Sequence, residues 1–545
     1  MRWPSILLYL ALLLYGLGFA FSPTIFSGFR QLQTDPGDTV LNHYFLEHSW
    51  RCVSKSDYVG TLWSPPFFYP AKDVLGYSDN LFGAAPIYWL LRCFLPDVAA
   101  YQVWMIIGFA LNFVAMAVVL RWFGIRHSLG ALGAFLFAFG LPNVQQIGHQ
   151  QLCHRWWTPF AIWHFWSFVK QPGARPLILC IFCVAAQFIT GVYVGWFLGF
   201  GLGLLGIAVL ALDRHSRRNI FQFLRSRPLS ALWPAAAGCL MIAPLVAGYL
   251  RANEGYHRDF GEVLGGMPHW NSWLSVPERT LWRPILEPIC LDRGGEHLLS
   301  GGLTCWILAV VGVIVLRRDR ASASERLLIK SILVTVAAMI VLTFSVWTDE
   351  KHAGTLWAGV YYVVPGAKAI RMAARIYLIL YPLLVVAGLI AADRLLDAAS
   401  ISAGRRSIIV AALTLLAAAE NFYPQSGDAN RSFEHALFYG KSRSVAEQLH
   451  RVDTAFGVYE TNGPLYEHEL MMMWAGAYAN VPVVNGYSGR EPTDYPMQLN
   501  RPLETRLRIW LGPHWSGTLA VVWPSSPPAR RLLRFESDGS IRPID

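Results

Sequence analysis

The chain has 545 residues, of which 54% are hydrophobic and only 15% charged, against roughly a quarter charged in ordinary soluble domains. That composition excludes a soluble globular protein and reads as a membrane protein. The formal net charge of +10 calls for no nucleic-acid partner, because the basic residues gather in short loops between apolar runs, where membrane topology alone places them.

Apolar runs at 4–22, 98–120, 127–141, 156–169, 176–190, 193–212, 230–250, 300–316, 327–346, 373–391 and 406–422 read as about eleven membrane spans, since about 18 apolar residues suffice to cross a bilayer. The third and fourth are short and are expected to be tilted, broken or re-entrant. With a cytoplasmic N-terminus, the inside loops carry Arg121 and Arg126; Lys170 and Arg175; Arg214, Arg217, Arg218, Arg225 and Arg227; Arg317, Arg318, Arg320 and Arg326; and Arg394, Arg405 and Arg406. Every inside loop is then basic, as the positive-inside rule requires. The first loop, the 251–299 loop and the C-terminal segment fall outside. No small-residue cleavage site follows the first run, only Phe19-Ala20-Phe21-Ser22-Pro23, so that run reads as an anchor rather than a signal peptide.

The first outside loop, 23–97, opens with a polar, acidic stretch from Gln33 to His48. Pro36 and Gly37 suit the centre of a type II turn, which would bring the ends, Asp35 and Asp38, within roughly 7 Å Cα to Cα. Two such carboxylates can share a proton, so that one acts as a base, or can hold a divalent cation. Equally, Asp38 is a good N-cap for the run that follows, and Asp-Pro-Gly is ordinary turn chemistry. From Thr39 to Trp50, Val40, Leu41, Tyr44 and Phe45 keep helical spacing opposite Asn42 and Glu47, which predicts a short interfacial helix. An extended, proline-rich piece follows, Trp63 to Pro70, and Ser78 is placed to cap a second helix, Asp79 to Phe94.

Between the third and fourth spans, Pro142 to Trp157 holds Gln145, Gln146, His149, Gln150, Gln151 and His154. Polar side chains this dense between spans face water or a cavity. The two histidines are five apart, which does not make the one-face metal pair that a spacing of four would, so a surface bonding sugar hydroxyls is expected instead. Cys180 and Cys183 form a C-x-x-C inside an apolar run and receive no chemistry. A bridge between Cys52 and Cys93 is possible in an outside loop. The 251–299 loop mixes charge and tryptophan (Arg251, Glu254, His257, Arg258, Asp259, Glu262, His269, Trp270, Trp273, Glu278, Arg279, Asp292, Arg293 and Glu296); this suits either carbohydrate or a loop held by ion pairs.

At the entry to the tenth span, Lys368, Arg371 and Arg375 are spaced three and four apart. On a helix they would form one cationic stripe at its N-terminus, a good phosphate site. Residues 354–366 are too short for an ordinary crossing and read as re-entrant or interfacial; a crossing there would move the C-terminal segment inside. From Asn421 the composition becomes that of a soluble α/β module. Strands are expected over Val452–Glu460 and Leu519–Trp523, and helices over Ser444–His450 and Glu469–Tyr478. Its most distinctive part, Pro482 to Pro496, carries Asn485-Gly486-Tyr487-Ser488-Gly489 and Asp494, a tight loop of the kind that bears binding residues. No Walker or Rossmann loop is present.

Taken together, the inside anchor, the acidic first loop with two interfacial helices, the bundle of spans and the outside tail resemble the GT-C glycosyltransferases. The Gly148-His149-Gln150 turn, the Ile370-Arg371-Met372-Ala373-Ala374-Arg375 entry and the Asn485 to Gly489 loop are similar to those of uncharacterised bacterial members. The resemblance implies a polytopic α-helical membrane domain, 1–424, and a small C-terminal α/β domain, 425–545, outside the inner (plasma) membrane. It implies transfer of a sugar from a polyprenyl-phosphate carrier to an acceptor glycan, lipid or protein at the non-cytoplasmic face. Asp38 is then the general base and Asp35 its partner, with the order reversible. Arg371, Arg375 and Lys368 take the donor phosphate; His43, His149, Gln150 and Tyr487 contact substrate. No cofactor is certain; because two residues separate the carboxylates where the family has adjacent acidic residues or Asp-x-Asp, a divalent cation is left open. A transporter or flippase for lipid-linked glycans would carry ionisable residues mid-span and paired halves. A non-catalytic envelope scaffold would leave the same aspartates and arginines replaceable.

Overall fold

The computed structural model describes residues 3–256, 258–290, 295–318, 320–348, 351–398, 402–422, 432–459, 464–493, 495, 501–525 and 527–544. His257, Asp292, Arg293, Asp494 and Pro496 lie outside the described residues. The chain forms two compact units, one of residues 1–22, 105–243 and 256–425, the other of residues 23–104, 244–255 and 426–545.

This is a multi-pass helical membrane protein. Among the described residues, seven helices are long and apolar enough to cross a bilayer: Trp3–Ala20, Asp97–Trp122, His127–Val144, Val192–Leu212, Pro228–Ala252, Ala323–Thr343 and Ala373–Asp397. The other four apolar runs are also helical, at Trp157–Lys170, Ala174–Thr190, Leu303–Arg318 and Ala403–Glu420. In the first unit the helix Tyr377–Ala398 is central, packed by Leu303–Arg318, Ala323–Thr343 and His127–Phe139. Its apolar stretch is wholly buried, which its all-round apolar sequence requires. The Leu303 helix begins on a buried carboxylate: Glu420 accepts from the Leu303 and Thr304 backbone N–H groups at 2.8 and 2.9 Å and from Trp282 Nε1 at 2.9 Å. Two orphan donors of a helix start are thereby satisfied.

One stretch read as a loop is helical. Arg214–Ser226 is a helix, capped by the Asp213 side chain accepting from Ser216 N–H at 2.7 Å. Its basic residues and the apolar Phe221, Phe223 and Leu224 alternate at helical spacing, a periodicity that the arginine count obscures.

In the second unit the helix Gly37–Ser54 is the hub, packed by Ala85–Arg92 and by Leu465–Ala479. The predicted helix is present but not interfacial: Asn42, His43, Glu47, His48, Ser49 and Arg51 are buried along with its apolar residues. Glu47 explains how: it bonds Arg51 Nε at 3.0 Å, Arg92 Nε at 2.9 Å and the Tyr88 hydroxyl at 2.9 Å, so the polar side is satisfied inside the unit. The second loop helix starts at Ala85 rather than Asp79, with Pro86 in its first turn, a position proline favours. Cys52 and Cys93 are free thiols, so the bridge considered for them is not formed. Cys52 lies 3.7 Å from His48 Nε2, and Cys93 donates to the Trp89 carbonyl at 3.4 Å.

The C-terminal residues build a four-stranded sheet, Thr454–Gly457, Gly517–Trp523, Ala529–Phe535 and Ile541–Ile544, parallel in its first pair and antiparallel in the rest. Gln31–Gln33 pairs antiparallel with Ser432–Glu434. The first loop and the C-terminal segment therefore share one side of the membrane, and the chain crosses an even number of times between them. The 354–366 stretch holds the end of the strand Lys351–Thr355 and the seven-residue helix Trp357–Val363, the helix about 10 Å long against a hydrocarbon core of about 30 Å. It is not a crossing by itself.

Candidate active site

The aspartates of the first loop are placed by a helix start. Pro36 has φ −67° and ψ −12°, whereas the first central residue of a type II turn needs ψ near +120°. The Pro-Gly pair therefore enters the helix directly, and the expected type II turn is not formed. Asp35 Oδ1 accepts from the Gly37 backbone N–H at 2.9 Å, and Asp38 stands in the first turn of Gly37–Ser54, so it is not the N-cap. Thr34, just before, has φ +70°, costly for a β-branched residue and the kind of strain that gathers at functional sites. Asp35 is exposed and Asp38 half-buried.

The Tyr487 hydroxyl donates to Asp38 Oδ1 at 3.4 Å. Two stretches read separately in the sequence thus meet within the second unit. Burial raises the Tyr487 phenol pKa, and the Asp38 carboxylate raises it further, so the group stays a donor. Tyr466 packs its ring 5.9 Å from that of Tyr487. Glu467, beside it, is pushed up by burial and by the Asp35 charge. The site is accordingly acidic and aromatic. Among the described residues no three or more His, Cys, Asp or Glu side chains converge as metal ligands would.

Several contacts pin the loop that presents Tyr487. Asn485 exchanges hydrogen bonds with Gly457, accepting from its N–H at 2.6 Å and donating to its carbonyl at 3.1 Å. The Gly486 N–H donates to Glu469 Oε2 at 2.8 Å, as does the Tyr495 hydroxyl, also at 2.8 Å. Gly486 is needed there, since a Cβ would lie 2.5 Å from the Phe68 ring. Burial raises the Glu469 carboxyl to about 7 against the lowering effect of its hydrogen bonds.

His43 does not belong to this surface. Its ring is fully buried, stacked on Tyr101 at 4.6 Å and bonded to the Tyr439 hydroxyl at 2.7 Å. The structure does not bring His43 to the surface that carries Asp38 and Tyr487; its ring packs inside the second unit.

In the first unit the cationic stripe is not a helix face. Ala367–Ala369 and Ala373–Ile376 are separate 3₁₀ turns, and the α-helix begins at Tyr377. Lys368 and Arg371 are exposed; Arg375 is buried. Arg375 is held by Glu296, with Nε 3.1 and 3.2 Å from the two carboxylate oxygens and Nη2 bonded as well. Its guanidinium lies 5.3 Å from the Tyr193 ring centroid. The Tyr193 hydroxyl accepts from the Arg371 N–H at 2.9 Å and donates to the Ala369 carbonyl at 3.4 Å, so one aromatic ring fixes both turns. Burial pushes the Glu296 carboxyl up, but Arg375, then His149 and Arg371, outweigh it and hold the group below the ordinary carboxylate range. Arg375 is therefore bonded to Glu296, and the charges of His149 and Arg371 also act on that carboxylate. Gln150 is buried and donates to the Ile147 carbonyl at 2.6 Å within its own turn.

Glu296 and Tyr193 were missed as site residues. Glu296 stood in the sequence only as one charge of a mixed loop, and Tyr193 sits at the start of an apolar helix, where nothing distinguishes it from a membrane-interface anchor.

No family model matches the chain, and no curated protein matches it. Solved structures do. The apo oligosaccharyltransferase of Archaeoglobus fulgidus is 12% identical with a TM-score of 0.52, over 89% of this chain and 65% of that one. The oligosaccharyltransferase AglB of the same organism, in complex with an inhibitory peptide and a dolichol-phosphate, is 10% identical with a TM-score of 0.53, over 96% and 70%. ArnT from Cupriavidus metallidurans in the apo state is 11% identical with a TM-score of 0.39, over 95% and 92%. The chain thus spans just under two thirds of the length of the first of these.

Proposed function

Because the chain has the fold of the GT-C membrane glycosyltransferases, we propose that it moves a sugar from a polyprenyl-phosphate carrier to an acceptor hydroxyl at the non-cytoplasmic face of the inner (plasma) membrane. The observation that carries this reading is the pairing of Asp38 with Tyr487 at 3.4 Å. It places a half-buried carboxylate at a helix start beside a phenolic donor, in a loop pinned by Asn485 and Glu469. The lipid-phosphate donor is suggested by a neighbour in fold that was solved with a dolichol-phosphate.

Asp38 takes the proton of the acceptor hydroxyl as that oxygen bonds to the anomeric carbon. The bond from that carbon to the phosphate oxygen breaks, and its electron pair leaves with the polyprenyl phosphate. Such proton transfer contributes about 10²–10⁴ in rate. Asp35 holds the Gly37 N–H and so sets the position of Asp38. Lys368, Arg371 and Arg375 stabilise the departing phosphate, while His149 and Tyr487 bond sugar hydroxyls. No nucleotide site is required, since the carrier arrives charged. The segment 425–545 lies on the same non-cytoplasmic side.

The test is glycosyl transfer in membranes containing labelled polyprenyl-phosphate sugars, at equal expression of each variant. Asp38→Asn is expected to lose about 10²–10⁴ in kcat, and Asp35→Ala, which removes the acceptor of the Gly37 N–H, about tenfold, as for a positioning contact. Transfer by both variants at the rate of the unaltered protein would remove the aspartates from the chemistry. No transfer from any donor would remove the reaction.

A further inference from the structure

Arg375 is already spoken for. Its guanidinium is buried and engages both oxygens of Glu296, the fork-on-carboxylate geometry that the same side chain uses for phosphate. His149 and Arg371 also act on the Glu296 charge. Two of the residues that the proposed reaction needs near a phosphate, Arg375 and Arg371, therefore act on one carboxylate, and that carboxylate belongs to the protein.

A guanidinium engaged in this way takes up a second anion only by giving up the first or by tolerating two negative charges side by side. The latter is disfavoured in a partly desolvated site, where like charges repel strongly. Tyr193 keeps the guanidinium in place throughout, by its ring below Arg375 and its hydroxyl on the Ala369 to Arg371 backbone. Glu296 sits in the isolated three-residue 3₁₀ turn Gly295–His297, whereas the 3₁₀ turn that holds Arg375 runs directly into the central buried helix.

We propose that Glu296 is a placeholder for the lipid phosphate, bound to Arg375 in the empty protein and displaced from it when the phosphate of the polyprenyl carrier binds. The inference rests on the proposed donor class. It adds a specificity residue that weakens phosphate binding on purpose. A polyprenyl phosphate product carries about −1.5 to −2 charge, more than the phosphodiester donor, and would be held tightly by the cluster; the returning carboxylate competes it off.

The experiment is binding of polyprenyl phosphate to the full-length protein in nanodiscs of neutral phosphatidylcholine, read by affinity and by the rise in Tm that the ligand produces. Glu296→Gln is expected to bind about tenfold or more tightly than the unaltered chain, and to gain the larger Tm rise even where it is less stable without ligand. Glu296→Asp keeps the competing charge and is expected to stay within about threefold. A merely structural role could lower affinity on substitution but would not raise it. If the unaltered protein binds and Glu296→Gln binds equally or less well, the placeholder is wrong and the donor class stands. If neither binds, both fall. Equal tightening toward phosphatidylglycerol discs would reduce the effect to general anion attraction and overturn the assignment to lipid phosphate.

Discussion

Replacing Tyr487 by phenylalanine removes the one hydroxyl that reaches Asp38 from the Asn485 to Gly489 loop. At 3.4 Å and half-exposed, this contact is long for a hydrogen bond, so the expected loss in kcat/KM is modest, about three- to tenfold, measured by the same transfer assay. Glu469 makes a sharper prediction. Its carboxyl is raised from 4.5 to about 7 by burial, so the stability it contributes is fully present below about pH 4.5 and is lost as pH rises through about 7. The shift corresponds to about 3 kcal/mol. The Tm of the full chain should fall over that window, and Glu469→Gln, which does not titrate, should remove that part of the slope. Both side chains were visible in the sequence, but neither pairing was. Asp38 and Tyr487 are 449 positions apart, and Arg375 and Glu296 are 79 apart. Local chemistry made Asp38, Tyr487 and Arg375 candidates but left Glu296 and Glu469 undistinguished; only the folded chain selects the partners.

Glu420 ends one helix and starts another, and this is where the elements depend on single residues. With no exposed surface and three donors, its truncation to alanine leaves the Leu303 and Thr304 N–H groups and the Trp282 indole without an acceptor. The expected cost is about 2–4 kcal/mol, read by thermal or denaturant unfolding. Gly302 is tied to the same contact: its φ is +85°, and a Cβ would stand 2.7 Å from Glu420 Oε1. Helix existence was legible, since every apolar run proved helical, because apolar length decides the matter in a membrane. Starts and surroundings were less so. The Gly37 helix was expected with a wet face because Asn42 and Glu47 are polar, yet Arg51, Arg92 and Tyr88 satisfy Glu47 from inside. The strand Ala529–Phe535 was missed for a related reason: three arginines in seven residues mask the alternation that buries Leu533 and Phe535.

Across the whole chain, the pairing of Gln31–Gln33 with Ser432–Glu434 ties the beginning of the first loop to residues about four hundred positions later. Composition suggested a boundary near 425, because that is where apolar runs stop. Packing groups the first loop with the residues beyond that boundary, since a loop of 23–104 alone has too little apolar partner surface for Val40, Leu41, Tyr44 and Phe45, all buried in the unit. The helix Leu465–Ala479 supplies that surface: Trp474 lies 4.6 Å from His43 and 5.7 Å from Tyr44, ring to ring. A chain ending at 425 should therefore lose amide-exchange protection throughout Gly37–Ser54, while helices of the first unit such as Val192–Leu212 keep theirs, because local opening follows lost burial. Activity should vanish with that protection, since Asp38 rides on the helix that unfolds. Protection retained in Gly37–Ser54 would mean that the first loop holds its own fold, and that the C-terminal residues serve Asp38 only through Tyr487.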